Sequence, residues 1–318
     1  MLLRKFFIIL ASVLVSLIFC ESILRVKNYF ILDYDVEMWR YAKLLKTINK
    51  NPKINHTHKI NSKAVLQDVE IKINNFGQRD IDYDNNFLKK FDRSFLFLGS
   101  SVTLGWGVHQ KDSYVNLLNN ISKNDLKNWI FVNGGIGNYN TERYVNNYLE
   151  NWKHLQFTDV VVNFFVNDTE IIKQQDTNFF LKNFHLGIVL WKILNDIKNI
   201  NNNQTIIEYY KEKYSEDFSG YKIALNEILK LNSFYKKNNI NFHIILIPDI
   251  HKTNPYPLGF VDNQISKFAK QNNIKYFDVY PSISNIDNNK LWNKYNDPHP
   301  NELAHKLFAD FIYKNLEK

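Results

Sequence analysis

Five short apolar runs, at residues 94–98, 130–132, 160–164, 242–247 and 276–279, recur between helical or polar stretches and constrain this chain more than any other feature. Runs of this length are strand-sized, and their near-continuous apolar character suits strands covered on both faces. Alternating with helices, they predict a mostly parallel sheet between two helical layers, a flavodoxin-like three-layer α/β/α sandwich. No internal repeat competes with that reading. Of the 318 residues, 45% are hydrophobic and 15% aromatic, which suits a globular core and not a disordered chain.

The first run ends in Leu98-Gly99-Ser100-Ser101-Val102-Thr103-Leu104-Gly105-Trp106-Gly107. Gly99 permits a tight turn at the C-terminal edge of the strand, which is where open α/β sheets place their ligands. Far downstream, Asn296-Asp297-Pro298-His299-Pro300-Asn301 offers a carboxylate two positions before an imidazole. A helical pattern follows, with Leu303, Leu307, Phe308, Phe311 and Ile312 on one face. A serine hydroxyl is a poor nucleophile until a general base takes its proton, and an imidazole is suited to that work. His299 is the candidate base, and Asp297 the carboxylate that would fix its tautomer and stabilise the imidazolium. Such acyl transfer through a covalent ester needs no metal or cofactor.

Four blocks, in order, resemble those of the SGNH (GDSL-type) serine hydrolases, in particular membrane-anchored bacterial members, over roughly residues 65–318. Gly99-Ser100-Ser101 is similar to the first block, which implies that Ser101 is the nucleophile; Ser100 stands where the family has Asp. Asn133-Gly134-Gly135-Ile136-Gly137-Asn138 is similar to the second, which supplies a backbone N–H to the oxyanion hole. Asn138 stands where the family has Gly, a position at which Asn tolerates positive φ better than most residues, and Gly137 is the alternative donor. Phe165-Val166-Asn167-Asp168 is similar to the third block and implies that the Asn167 amide binds the oxyanion; Phe165 replaces a Gly and is expected to narrow or reshape the pocket wall. Asp297 and His299 match the last block, and residues 73–80 resemble the segment preceding the first. The implied oxyanion hole is Ser101, Asn138 and Asn167.

Residues 6–20 carry no charge, follow Arg4 and Lys5, and read as a membrane-targeting segment. Fifteen residues span about 22 Å as a helix, short of the roughly 30 Å hydrocarbon core, but Leu2, Leu3, Ile23 and Leu24 extend the apolar length. No small-residue cleavage site ends the segment, so an uncleaved anchor is expected over a cleaved signal, with the long trailing domain on the periplasmic or extracellular side. The expected organisation is an anchor at residues 1–25, an extension and linker at 26–90, and the hydrolase domain at 91–318 with an insertion at about 169–220. That insertion is either a substrate-covering lid or a helical piece packed on the sheet. Residues 45–63, polar and containing Pro52, read as a loop, and His56-Thr57-His58 within it as solvated surface, without the partners of a metal site. His243 reads as packing, and Trp106 either lines an acyl pocket or fills a turn.

The charge of +8, from 40 Lys and Arg against 32 Asp and Glu, is dispersed and does not form the clusters of a nucleic-acid module. The single cysteine, Cys20, excludes an intramolecular disulfide. The expected function is a serine esterase removing or transferring small acyl groups, such as acetyl, on a cell-envelope glycan or another small ester substrate. The alternatives are a lipid or thioester hydrolase and a catalytically silent binding or assembly protein of polysaccharide export. Protein partners are not legible.

Overall fold

The structure, a computed structural model, describes residues 2–172, 178–199, 204–295 and 297–317. Asn296 and parts of the expected 169–220 insertion lie outside the described residues. In chain order the principal helices are α1 (Leu2–Phe30), α2 (Tyr34–Leu44), α3 (Ser101–Leu104), α4 (Tyr114–Asn124), α5 (Thr141–Asn147), α6 (Phe179–Asn183), α7 (His185–Asn199), α8 (Ser219–Asn238), α9 (Gly259–Gln271) and α10 (Glu302–Leu316). The main strands are β1 (Arg93–Gly99), β2 (Trp129–Gly135), β3 (Asp159–Phe165), β4 (Asn241–Ile247) and β5 (Lys275–Asp278).

The chain divides into two compact units. The first holds α1 and α2 together with α6 and α7; the second runs from Leu45 through β3 and resumes at Thr205. In the first, Val36, Leu181 and Ile188 are buried together, with Trp39 and Trp191 edge-on at 6.1 Å beside them. Helix α1 is long and apolar enough to cross a membrane, and none of that stretch is buried. At 29 residues it extends about 44 Å, so the helix does not stop where the uncharged run does.

In the second unit all five strands are parallel, in the order β2-β1-β3-β4-β5. Each coincides with one of the apolar runs. Side chains alternate across a strand: Phe95 and Phe97 enter a core with Val115 and Leu118 of α4 and Phe308 and Ile312 of α10. Leu96 and Leu98 enter the opposite core, with Tyr144 of α5, Ile228 and Leu231 of α8 and Ile265 of α9. The result is the three-layer sandwich, with β1 flanked by β2 and β3 and the reversal of strand order at β1.

Two local expectations are corrected. Residues 45–63 are not a plain loop: Lys46–Ile48 pairs antiparallel with His56–His58. His56 and His58 are buried at 7% and 3% exposure, because the Gly137 and Gly77 carbonyls offer their ring nitrogens partners at 3.1 and 2.8 Å. On α10 the buried face is Ala304, His305, Phe308, Ala309, Ile312 and Tyr313, while Leu303 is exposed. His305 turns inward there because its Nδ1 accepts from the Tyr114 N–H at 3.2 Å and its ring stacks on that of Tyr114.

Candidate active site

The turn after β1 is built to present one serine. Ser100 is the N-cap of α3 and nearly fully buried, whereas Ser101, the first residue of α3, is partly exposed. Helix α3 ends at Gly105, whose φ of 78° is the left-handed conformation that closes a helix most readily without a Cβ. Beneath it passes the end of β2. A Cβ on Gly135 would sit 2.2 Å from the Leu104 backbone nitrogen, so only glycine lets the strand approach this closely. Asn133 ties the two together, its amide donating to the Thr103 carbonyl at 2.7 Å while its oxygen accepts from the Gly135 N–H at 2.9 Å.

Residues 73–80 brace this turn. Arg79, 1% exposed, donates to the carbonyls of Leu104, Gly105 and Val108 at 3.0, 2.6 and 2.8 Å. Asp80 accepts from the Asn133 N–H at 2.8 Å, and burial pushes its carboxyl up to about 6.

Asp297 and His299 arrive on a short strand, Asp297–Pro300, paired antiparallel with Trp292–Lys294. His299 Nε2 lies 2.9 Å from Ser101 Oγ, and its Nδ1 lies 2.6 Å from Asp297 Oδ1. Asp297 is fully buried, and its other oxygen accepts from Trp106 Nε1 at 3.1 Å and Asn293 Nδ2 at 3.4 Å. Burial alone would raise this carboxyl, but the bonds from His299 and Asn293 hold it below the ordinary range. A carboxylate kept ionised against one imidazole nitrogen leaves the other to take a proton from a hydroxyl. Trp106 is buried in the turn that holds it, with its indole N–H directed at Asp297. The Asn301 side chain caps α10 by accepting from the Ala304 N–H, which fixes the end of this loop.

The two other positions lie just past the ends of the strands flanking β1, at the same edge of the sheet. Asn138, three residues past β2, has φ of 65°, a left-handed conformation that Asn adopts more readily than most residues. Its carbonyl accepts from Arg143 Nη1 at 2.7 Å. The preceding carbonyl, of Gly137, accepts from Lys46 Nζ at 2.7 Å. Asn167, two residues past β3, lies in a turn of 3₁₀ helix, and its carboxamide oxygen is buried without a hydrogen-bond partner among the described residues. Phe165 is half-buried and packs against both cores. Beside it Asp168, 1% exposed, accepts from Tyr144 Oη at 2.8 Å and Thr141 Oγ1 at 3.3 Å, joining the start of α5 to the end of β3. Burial raises its carboxyl to about 8.

Lys46, Arg143 and Asn293 are supporting residues that carry no motif of their own. Arg79 and Asp80 were marked only by the resemblance of their segment. His243 accounts for itself structurally, with Nε2 3.2 Å from Asp159, a carboxylate also bound by Arg93 at 2.6 Å.

No protein-family profile matches the chain, and no curated protein matches it. Among solved structures it is similar to a psychrotrophic esterase, EstA, from Pseudoalteromonas sp., with 13% identity and a TM-score of 0.45 over 71% of this chain and 97% of that one. The chain resembles G-D-S-L lipolytic proteins. One is a member of that family from Veillonella parvula, at 16% identity and TM-score 0.42, over 70% and 96% of the two chains. A mutant of Axe2, an acetyl-xylooligosaccharide esterase from a Geobacillus species, is similar at 14% identity and TM-score 0.44, over 72% and 95%.

Proposed function

We propose that the protein is a serine esterase of the SGNH type, and the observation that carries this is the hydrogen-bonded series Ser101–His299–Asp297 at the C-terminal edge of β1. In this reading His299 Nε2 takes the Ser101 proton as Oγ bonds to the acyl carbon, and the carbonyl oxygen becomes an oxyanion. The Ser101 and Asn138 backbone N–H groups and the Asn167 amide receive that charge. The bond to the leaving alcohol then breaks as His299 returns the proton to it. Water, or an acceptor alcohol, releases the acyl group by the same steps in reverse. The role of Asp297 is to hold the imidazole in the tautomer that accepts from serine.

The substrate is proposed as a small acyl ester, such as an acetyl group, on a cell-envelope glycan. It rests on α1 as a membrane anchor placing the second unit outside the cytoplasm. Fluorophosphonate labelling tests the chemistry. Wild type and Ser100→Ala should label and hydrolyse a simple acetyl ester, while Ser101→Ala and His299→Ala should do neither. Labelling that persists in Ser101→Ala and vanishes in Ser100→Ala would move the nucleophile by one residue.

A further inference from the structure

Helix α7 has two apolar sides. One is occupied: Ile188 is buried with Val36 and Leu181, Trp191 meets Trp39, and Lys192 pairs with Asp35 at 2.7 Å. The other is bare. Leu190, Ile193, Leu194 and Ile197, spaced i, i+3, i+4 and i+7, are 52, 48, 58 and 56% exposed. They form one stripe on the opposite side of the helix. Phe179 and Phe180 of α6, also in this unit, are exposed as well. A contiguous apolar surface of this kind on a protein in water marks an interface.

The unit itself indicates what covers it. The Glu21 carboxylate accepts from the backbone N–H groups of His185 and Leu186 at 3.0 and 2.9 Å, capping the start of α7. Arg25 donates to the Asn183 carbonyl at 2.7 Å and to Glu21 at 2.7 Å. Glu21 and Arg25 lie within about a turn and a half of Cys20, the last residue of the uncharged run. Helix α7 is therefore tied to α1 at the level where the apolar run gives way to charge. Beside this junction is a cavity of about 250 Å³ whose lining includes Trp39, Arg25, Arg40, Lys43 and Lys182; Arg40 also pairs with Glu37 at 2.6 Å and Lys43 donates to the Asn183 side chain at 2.8 Å, and the four cations together suit an anionic headgroup beside an interfacial indole.

We propose that α6 and α7 form a second membrane contact: the Leu190–Ile193–Leu194–Ile197 stripe lies in the boundary between headgroups and acyl chains, held at that depth by Glu21 and Arg25 of α1, with the neighbouring cations facing anionic lipid. The proposal rests on reading α1 as the membrane anchor. It makes residues 178–199 a lipid-binding element, in place of a lid over the substrate or a helix packed on the sheet.

The test uses the full chain in a Cys20→Ser background, labelled with an environment-sensitive fluorophore at Leu194→Cys, Val13→Cys or Lys90→Cys, in vesicles of phosphatidylcholine with phosphatidylglycerol. Brominated acyl chains should quench the Val13 and Leu194 probes severalfold and leave the Lys90 probe unchanged, and quenching at Leu194 should weaken when phosphatidylglycerol is omitted. A water-exposed, unquenched Leu194 probe beside a quenched Val13 probe overturns the proposal and leaves the anchor standing. A Leu194 probe shielded from aqueous iodide yet untouched by brominated lipid shows a protein or a second copy on this face instead, and also overturns it. An unquenched Val13 probe removes the anchor and the proposal together. Quenching at Leu194 that is indifferent to phosphatidylglycerol overturns the role given to the cations.

Discussion

Lys46 and His56 both address the carbonyl of Gly137, the other half of the peptide whose N–H belongs to Asn138. A trans peptide points its C=O and N–H in opposite directions, so whatever holds the carbonyl also aims the N–H. Burial, then the charges of Lys46 and Arg143, hold the His56 imidazole well below its ordinary value. A neutral ring carries one N–H, so it can donate to only one of the two oxygens it faces, the Gly137 carbonyl at Nε2 and the Asn55 Oδ1 at Nδ1. A charge-assisted bond from Lys46 also polarises the peptide and strengthens its N–H as a donor. Lys46→Met is expected to lower kcat about tenfold, equivalent to about 1.4 kcal/mol, with little change in KM. Lys46→Arg should recover most of the loss, and equal kcat values for all three proteins would remove Lys46 from this role. Asn167→Ala should cost more, about 10²–10³ in kcat with KM nearly constant, because an oxyanion donor acts chiefly in the transition state. An unchanged kcat in a folded Asn167→Ala protein would take that amide out of the site. The two residues differ in legibility for a simple reason. Asn167 ends a strand-like run in a recognisable block, while Lys46 is one lysine among many until folding sets it against a carbonyl 91 residues away.

Strands and helices carry a second kind of constraint, the spacing between the loops. Asp168 fastens the β3 end to α5 through Tyr144 and Thr141, while the Asn140 amide donates to the Glu170 carbonyl at 2.7 Å and Arg143 Nη2 to that of Ile172 at 3.0 Å. The loops bearing Asn138 and Asn167 are thereby joined across β1. Burial, opposed by the Tyr144 bond, puts the Asp168 carboxyl at about 8, against about 4 in an unfolded chain. The folded state thus keeps a proton that the unfolded state loses. The stability this group supports is fully present below about pH 4 and falls as pH rises, until the folded carboxyl also ionises near 8. Asp168→Asn, which retains an acceptor oxygen but cannot ionise, should flatten that decline and gain more in Tm at pH 8 than at pH 4, relative to wild type. Parallel Tm profiles for the two proteins would show that Asp168 does not titrate in this range. The strands themselves were visible as apolar runs, since a parallel strand covered on both faces needs little else. The 46–58 hairpin was not, because its histidines are polar in sequence and buried only by carbonyls supplied from elsewhere.

At the scale of the molecule, α1 is expected to hold the full-length chain in the membrane fraction through a high-salt wash. Recovery of a shortened soluble species beginning after residue 20 would show instead that the segment is a cleaved signal. Hydrophobic periodicity and motif order are properties of the chain itself, because each depends on residues close in sequence or on a pattern that only one kind of element buries. They were enough for the parallel sandwich, for an apolar N-terminal helix, and for Ser101, Asp297 and His299 as candidates. Partnership between distant residues is not such a property. Only the tertiary structure decided that Arg79 braces the turn after Ser101, that Trp106 donates to Asp297, that Lys46 holds the Gly137 peptide, and that residues 178–199 group with α1 and α2. Each of these is a hydrogen bond or an apolar contact whose two halves acquire meaning only once folding has brought them within about 3–4 Å.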